Sequence, residues 1–207
     1  MLEDLFSKKP LRRDRMICHS GGAIGSDTVW EQVGEEFGIK TNAYSYKTKS
    51  HTTPNKVEIS DDDYNEGIQE INRANKHLKR YGIHKYMSLL ARNWAQVKYS
   101  KQIFAIGSIV RSGKKDSKGY YNKSEFDIVS GGTGYCVMMG ILNDRDVYVF
   151  DQNLNKWFRW SHNSLRFIEL KESPTITEED FAGVGTREIN EYGIYAIRYL
   201  FEKTFRS

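Results

Sequence analysis

Apolar positions along this chain switch between a period of two and a period near 3.6, and the switches mark the elements. Met16 to Ser20 (MICHS) is a short, mostly apolar run, long enough for one buried strand. Gly21, Gly22, Ala23, Ile24 and Gly25 follow. From Thr28, Val29, Trp30, Val33 and Phe37 recur at helical spacing up to Gly38, the expected stop. Ser26 and Asp27 stand where helix N-caps are expected. The unit reads as strand, glycine-rich turn, helix. Lys40 to Tyr46 predicts a second strand, and Lys47 to Pro54 an exposed loop. Ser60 predicts the cap of a long helix with Asp61, Asp62 and Asp63 in its first turn. The helix dipole favours acidic side chains there, which accounts for the triplet better than a metal site does. Tyr64, Ile68, Ile71, Ala74 and Leu78 form its apolar stripe, and Gly82 is the expected break.

A further helix is predicted from Tyr86, Leu89, Leu90, Trp94 and Val97, then a buried strand over Lys101 to Gly107. The segment 108–125 is polar and has no period, so it reads as a solvated loop, a mobile lid or a binding loop. Phe126 to Val129 predicts a strand, Cys136 to Leu142 a helix, and Asp146 to Phe150 a buried strand closed by Asp151. Asn155 to Trp160 and Leu165 to Leu170 suggest a small hairpin or edge. Thr186 to Phe205 predicts a last helix burying Ile189, Ile194, Ile197, Leu200 and Phe201. Strands alternating with helices imply an α/β fold with a mostly parallel sheet and helices on both faces.

Composition narrows the class. A chain of 207 residues, 39% hydrophobic and 13% aromatic, suits one globular domain over 1–207. Residues 1–15 read as an N-terminal arm, its basic cluster Leu11 to Arg15 as a solvated lead-in, and 152–207 as a C-terminal extension packed on the core. The net charge of +4 permits a polyanionic partner without selecting nucleic acid over a phosphorylated small molecule. The two cysteines, Cys18 and Cys136, lie in apolar runs, and no CxxC or Cys/His spacing supports zinc. There is neither a signal-peptide core nor a run of membrane-spanning length, so a cytoplasmic protein without a membrane partner is expected, with no metal or cofactor.

The chemistry lies in repeated glycine turns. Ser20-Gly21-Gly22 and Ser130-Gly131-Gly132 each end an apolar run and begin a helix. Such turns either serve chain reversal alone or let a helix start approach an anion, and two facing one crevice favour a phosphate cradle. Ala182 to Glu188 (AGVGTRE) is a third candidate, with Arg187 suited to phosphate or to a surface carboxylate. No GxxxxGK[ST] occurs, and Gly183 and Gly185 lack the third glycine of a dinucleotide fingerprint.

SGGAIGSDTVW, NWAQVKYSKQIFAIG and SGGTGYCVMMGILNDRDVYVFDQNLNKWFRW together resemble the SLOG superfamily, which includes LOG nucleotide hydrolases, DprA DNA-processing proteins and molybdenum-cofactor carriers. The resemblance covers Met16 to Trp160, with FAGVGTREI as a further element. It implies a Rossmann-like three-layer sandwich with a small β-hairpin and a C-terminal helix. It also implies a nucleotide-derived ligand at Gly21, Gly22, Gly25, Ser26 and Asp27 and at Gly131, Gly132, Thr133 and Gly134, to which Ser130, Tyr135 and Arg187 are added as neighbours. LOG enzymes carry PGGxGTxxE; the second turn here has neither that proline nor that glutamate, while the first is nearer the SGGxxGxD of the molybdenum-cofactor carriers.

The leading expectation is a sensor, carrier or sequestering module for a nucleotide-derived phosphorylated ligand such as an ADP-ribose derivative. An N-glycosidic-bond hydrolase is the alternative, with Asp27 and Glu188 as candidate catalytic carboxylates. N-capping is the plainer role for Asp27, and a turn after a strand the plainer role for Asp151. A single-strand nucleic-acid binder ranks third, since a strong basic run is lacking. His19 reads as a core histidine or a ligand contact, Trp94 as core, and Tyr135 as a base-stacking residue. Trp157 and Trp160 cover a core or form the contact of an expected homo-oligomer.

Overall fold

The computed structural model describes residues 11–48 and 53–206. Its centre is an eight-stranded sheet in the order β3-β2-β1-β10-β4-β7-β8-β9. The strands are β1 (Ile17–Ser20), β2 (Lys40–Ser45), β3 (Lys56–Glu58), β4 (Gln102–Gly107), β7 (Asp146–Asp151), β8 (Lys156–Ser161), β9 (Arg166–Glu169) and β10 (Asp180–Gly185). β3 to β7 in that order are parallel; β8 and β9 continue the sheet antiparallel. A separate two-stranded antiparallel ribbon joins β5 (Ile109–Val110) to β6 (Ile128–Val129).

Alternation along the central strands sorts side chains to opposite faces. Ile103, Ala105, Val147, Val149, Ala182 and Val184 enter one core with α2 (Asp61–Leu78), α3 (Met87–Ala91), α4 (Asn93–Lys98) and α5 (Thr133–Leu142). Phe104, Ile106, Tyr148, Phe150 and Phe181 enter a second core with α1 (Ser26–Glu36) and α6 (Glu191–Phe205). The fold is therefore α/β, with a mostly parallel sheet between two helical layers.

Several boundaries follow from local chemistry. Ser60 caps α2 as expected, its hydroxyl accepting from the Asp63 N–H at 3.0 Å. Lys79, in the left-handed region at φ 52°, ends that helix three residues before Gly82. The single helix expected over 86–97 is two, joined at Arg92. α6 begins at Glu191, capped by Asn190, and Ile194 is exposed rather than buried.

Three larger expectations are corrected. Ala182-Gly183-Val184-Gly185 is no turn but part of β10, between β1 and β4 at the middle of the sheet. Segment 152–207, read as an extension, therefore supplies a central strand. Glycine is needed at 183 because a Cβ there would run into the Trp30 indole, which lies flat on the strand and donates its Nε1–H to the Val184 carbonyl at 3.2 Å. Ser130-Gly131-Gly132 follows the short β6 ribbon, not a strand of the parallel sheet. Segment 108–125 is largely exposed, as expected of a solvated loop, but it is pinned by buried polar bonds at a few positions. Asn122, fully buried, donates to the Val110 and Phe126 carbonyls at 2.9 Å each and accepts from Ser124, and buried Asp127 pairs with Arg111 at 2.6 Å. The expected N-terminal arm falls mostly outside the described residues; what is described there is a single 3-10 turn, Arg13–Arg15.

Candidate functional site

A cavity of about 680 Å³ opens where α1, the α2–α3 connection, the β6–α5 turn and the residues after β10 meet. Its mouth is aromatic and apolar: Tyr81 and Tyr86 are 85% and 59% exposed, with Ile83 and Leu89 beside them. Tyr86 and Leu89, which helical periodicity assigned to a core stripe, line this wall instead.

The β6–α5 turn forms one side through Ser130, Gly131, Gly132 and Thr133. Gly131 has φ 66°, a conformation a side chain would strain. The turn is held from behind by Arg80, whose guanidinium donates to the Gly131 carbonyl at 2.5 Å and to the Val129 carbonyl at 2.6 Å. With those carbonyls engaged, the N–H groups of Gly131, Gly132 and Thr133 have no hydrogen-bond acceptor among the described residues. They sit at the positive end of the ten-residue helix α5. Arg80 lies 5.3 Å from the Tyr135 ring centroid, and the Tyr135 hydroxyl donates to Asn75 at 2.7 Å. Tyr135 is thus a buried support for Arg80, not an open stacking platform. Gly134 lies under Arg80 and the Val129 carbonyl, off the cavity.

The first turn behaves differently. Ser26 gives its N–H, at 3.0 Å, and its hydroxyl, at 2.8 Å, to the Thr186 carbonyl. Gly25, at φ 108°, packs against the Arg187 backbone, where a Cβ would lie 2.5 Å from the carbonyl oxygen. The start of α1 is therefore closed by the chain leaving β10, and Gly21, Gly22, Gly25 and Ser26 do not line the cavity. The expectation that main-chain amides of both bends meet at one anion is corrected: from the first bend, Ala23 and Asp27 reach the cavity, and the Ala23 N–H is already donated to Asp27 at 3.2 Å. Gly25, not Ser26 or Asp27, is the N-cap residue of α1, and among the described residues no side chain caps it.

Asp27 is 6% exposed, with Arg92 Nη2 at 3.9 Å. Burial pushes its carboxyl up to about 6, against the opposing pull of Arg92 and of the Ala23 N–H. Arg92 itself, 8% exposed at the α3–α4 joint, donates through Nη1 to the Gly21 and Tyr44 carbonyls. Asn93 and Gln96 complete this deep end. Arg187 and Glu188 stand at the exposed edge, where Glu188 lies 3.8 Å from Lys118 of the 111–127 loop. The Arg187 guanidinium has no hydrogen-bond partner among the described residues.

Other candidates fall elsewhere. His19 is buried between the Tyr44 hydroxyl at 2.8 Å and Asp180 at 3.1 Å, off the cavity. Asp151 organises the turn after β7 by accepting from Ile109, Asn153 and Leu154 N–H groups. Trp157 and Trp160 are 5% and 6% exposed in the chain's own cores, which removes them as an oligomer contact. Trp94 is core, its indole N–H donated to Glu66 at 2.9 Å. Among the described residues no cluster of His, Cys, Asp or Glu is arranged to hold a metal ion, and no helix is long and apolar enough to cross a membrane.

Arg80, Arg92, Asn93 and Gln96 were not legible as site residues. Each lies in a helical or inter-helix stretch with no glycine signature, and only folding brings it to the turns. No family model, no curated protein and no solved structure matches the chain.

Proposed function

We propose that this cavity binds a nucleotide or nucleotide-derived phosphorylated ligand, as a sensor, carrier or sequestering module on a Rossmann-like sandwich. The observation that carries the reading is the division of one cavity into an anion-accepting side and a flat apolar mouth. The anion side offers the N–H groups of Gly131, Gly132 and Thr133, together with Arg187, none of which has a partner among the described residues. Tyr81, Ile83, Tyr86 and Leu89 offer area suited to a base. A phosphate and a planar ring joined by a short spacer is the chemistry that answers both.

Calorimetry with ADP-ribose, cyclic ADP-ribose isomers, AMP and dinucleotides tests the reading. Saturable binding by at least one is expected, weakened tenfold or more by Arg187→Ala. Folded protein silent toward all of them contradicts it.

A second reading is favoured by Asp27. A buried carboxyl poised near 6 beside the ligand cavity suits a general acid in cleavage of an N-glycosidic bond. It predicts base release that disappears in Asp27→Asn; intact nucleotide after long incubation with wild-type protein removes it. Glu188 stands exposed at the edge, 3.8 Å from Lys118, away from Asp27 at the deep end.

A further inference from the structure

Four polar side chains close the deep end of the cavity, and part of their hydrogen-bonding capacity is unspent. Asp27, Arg92, Asn93 and Gln96 are 6%, 8%, 9% and 2% exposed. Gln96 accepts from the Cys136 thiol at 3.6 Å through Oε1, while its Nε2 has no acceptor among the described residues. The Asn93 amide makes no hydrogen bond among the described residues, and Arg92 leaves Nε and Nη2 without one. Arg92 Nη1, Asp27 Oδ2 and Gln96 Nε2 pack around Gly21, filling the space a side chain there would need and so drawing the cluster together. None of these side-chain atoms is among those sealed from solvent without a partner, so the unspent amide and guanidinium groups open onto the cavity, where an entering group can take them up.

The chemistry of the four restricts that group. A second phosphate is disfavoured, because Asp27 would face it inside the same low-dielectric space. An apolar group would leave the Gln96 and Asn93 amides and Arg92 Nε without a partner on the cavity side. What fits is a neutral group that donates to a carboxylate and accepts from amide and guanidinium N–H together, as a hydroxyl pair does. Resting on the nucleotide reading above, with phosphate at the α5 turn and base at the aromatic mouth, we infer that this polar floor takes the sugar hydroxyls. The ligand class is therefore a ribonucleotide, and Asp27, Asn93 and Gln96 discriminate against deoxyribose.

Binding of AMP, ADP, GMP and GDP is measured beside each one's 2′-deoxy counterpart. A ribose form bound tenfold or more tightly than its deoxy partner is expected, because removal of the hydroxyl strands buried polar groups. Gln96→Leu should bring that ratio toward one while retaining affinity for phosphate. Asn93→Ala, at the more exposed end of the cluster, is the second variant should the first fail to fold. Equal affinity for both sugars in wild-type protein overturns the inference and leaves the nucleotide reading standing. Binding by none of the pairs overturns it too, and the ADP-ribose and dinucleotide panel then decides the broader reading by itself.

Discussion

Asp27 shows how much a single side chain's setting depends on distant chain. Its neighbours in sequence make it look like a helix cap, yet Gly25 takes the cap position and the carboxyl is buried opposite Arg92, sixty-five residues on. Since its folded-state value of about 6 lies above the ordinary 3.8, the native state holds a proton that the unfolded chain has released. Stability from this residue is therefore greatest at low pH and falls as pH rises through the window between about 4 and 6. Asp27→Asn removes the titration, so relative to wild type the variant should gain stability between pH 4.5 and pH 7.5, by about 1–3 kcal/mol. Urea denaturation at both pH values checks this; a gap that shrinks as pH rises contradicts the burial argument. His19 works in the opposite sense: burial lowers its value, so its contribution is intact above 6.5 and lost as pH falls. The two are separable by running His19→Gln alongside. At this scale Ser60 was legible because its cap is made with a residue three positions away. Ser26 was not, because its hydroxyl answers to Thr186.

At the level of elements, β10 is the instructive case. Two glycines in four residues read as a turn, and the signal that they mark close packing instead lies in Trp30, more than 150 residues earlier. Gly183→Ala should cost about 1–3 kcal/mol through overpacking against the indole, read as a lowered urea midpoint with an unchanged slope. An unaltered midpoint would mean that the ring does not lie on the strand. The 111–127 loop offers a parallel test. Asn122 satisfies two carbonyls and one N–H inside the loop, so Asn122→Ala should open Lys114, Lys115, Lys118 and Lys123 to trypsin while leaving the sheet folded. Digestion no faster than wild type contradicts the staple. The loop's lack of hydrophobic period concealed it, because its order comes from buried polar bonds. α2 and α5, by contrast, were visible from apolar spacing alone. β3, three residues with little burial, left no pattern to read.

Across the whole molecule, the parallel strands end along one edge, and that edge gathers the pieces that separate sequence features supply. The glycine turns pointed to the correct region, but folding assigns them unequal parts. The β6–α5 turn presents its amides to the cavity, whereas the β1–α1 turn is sealed by the chain after β10 and contributes Asp27. Arg80 makes the first of these arrangements by holding two carbonyls back, so Arg80→Ala should weaken ligand binding with little effect at the deep end. The most direct measurement is an amide NMR titration of the folded protein with ADP-ribose and AMP. The account predicts saturable shifts concentrated at Gly131, Gly132 and Thr133, with Gly22 and Ser26 nearly unmoved. Shifts centred on Gly22 and Ser26, or no saturable shift at the α5 turn with any nucleotide, would contradict it.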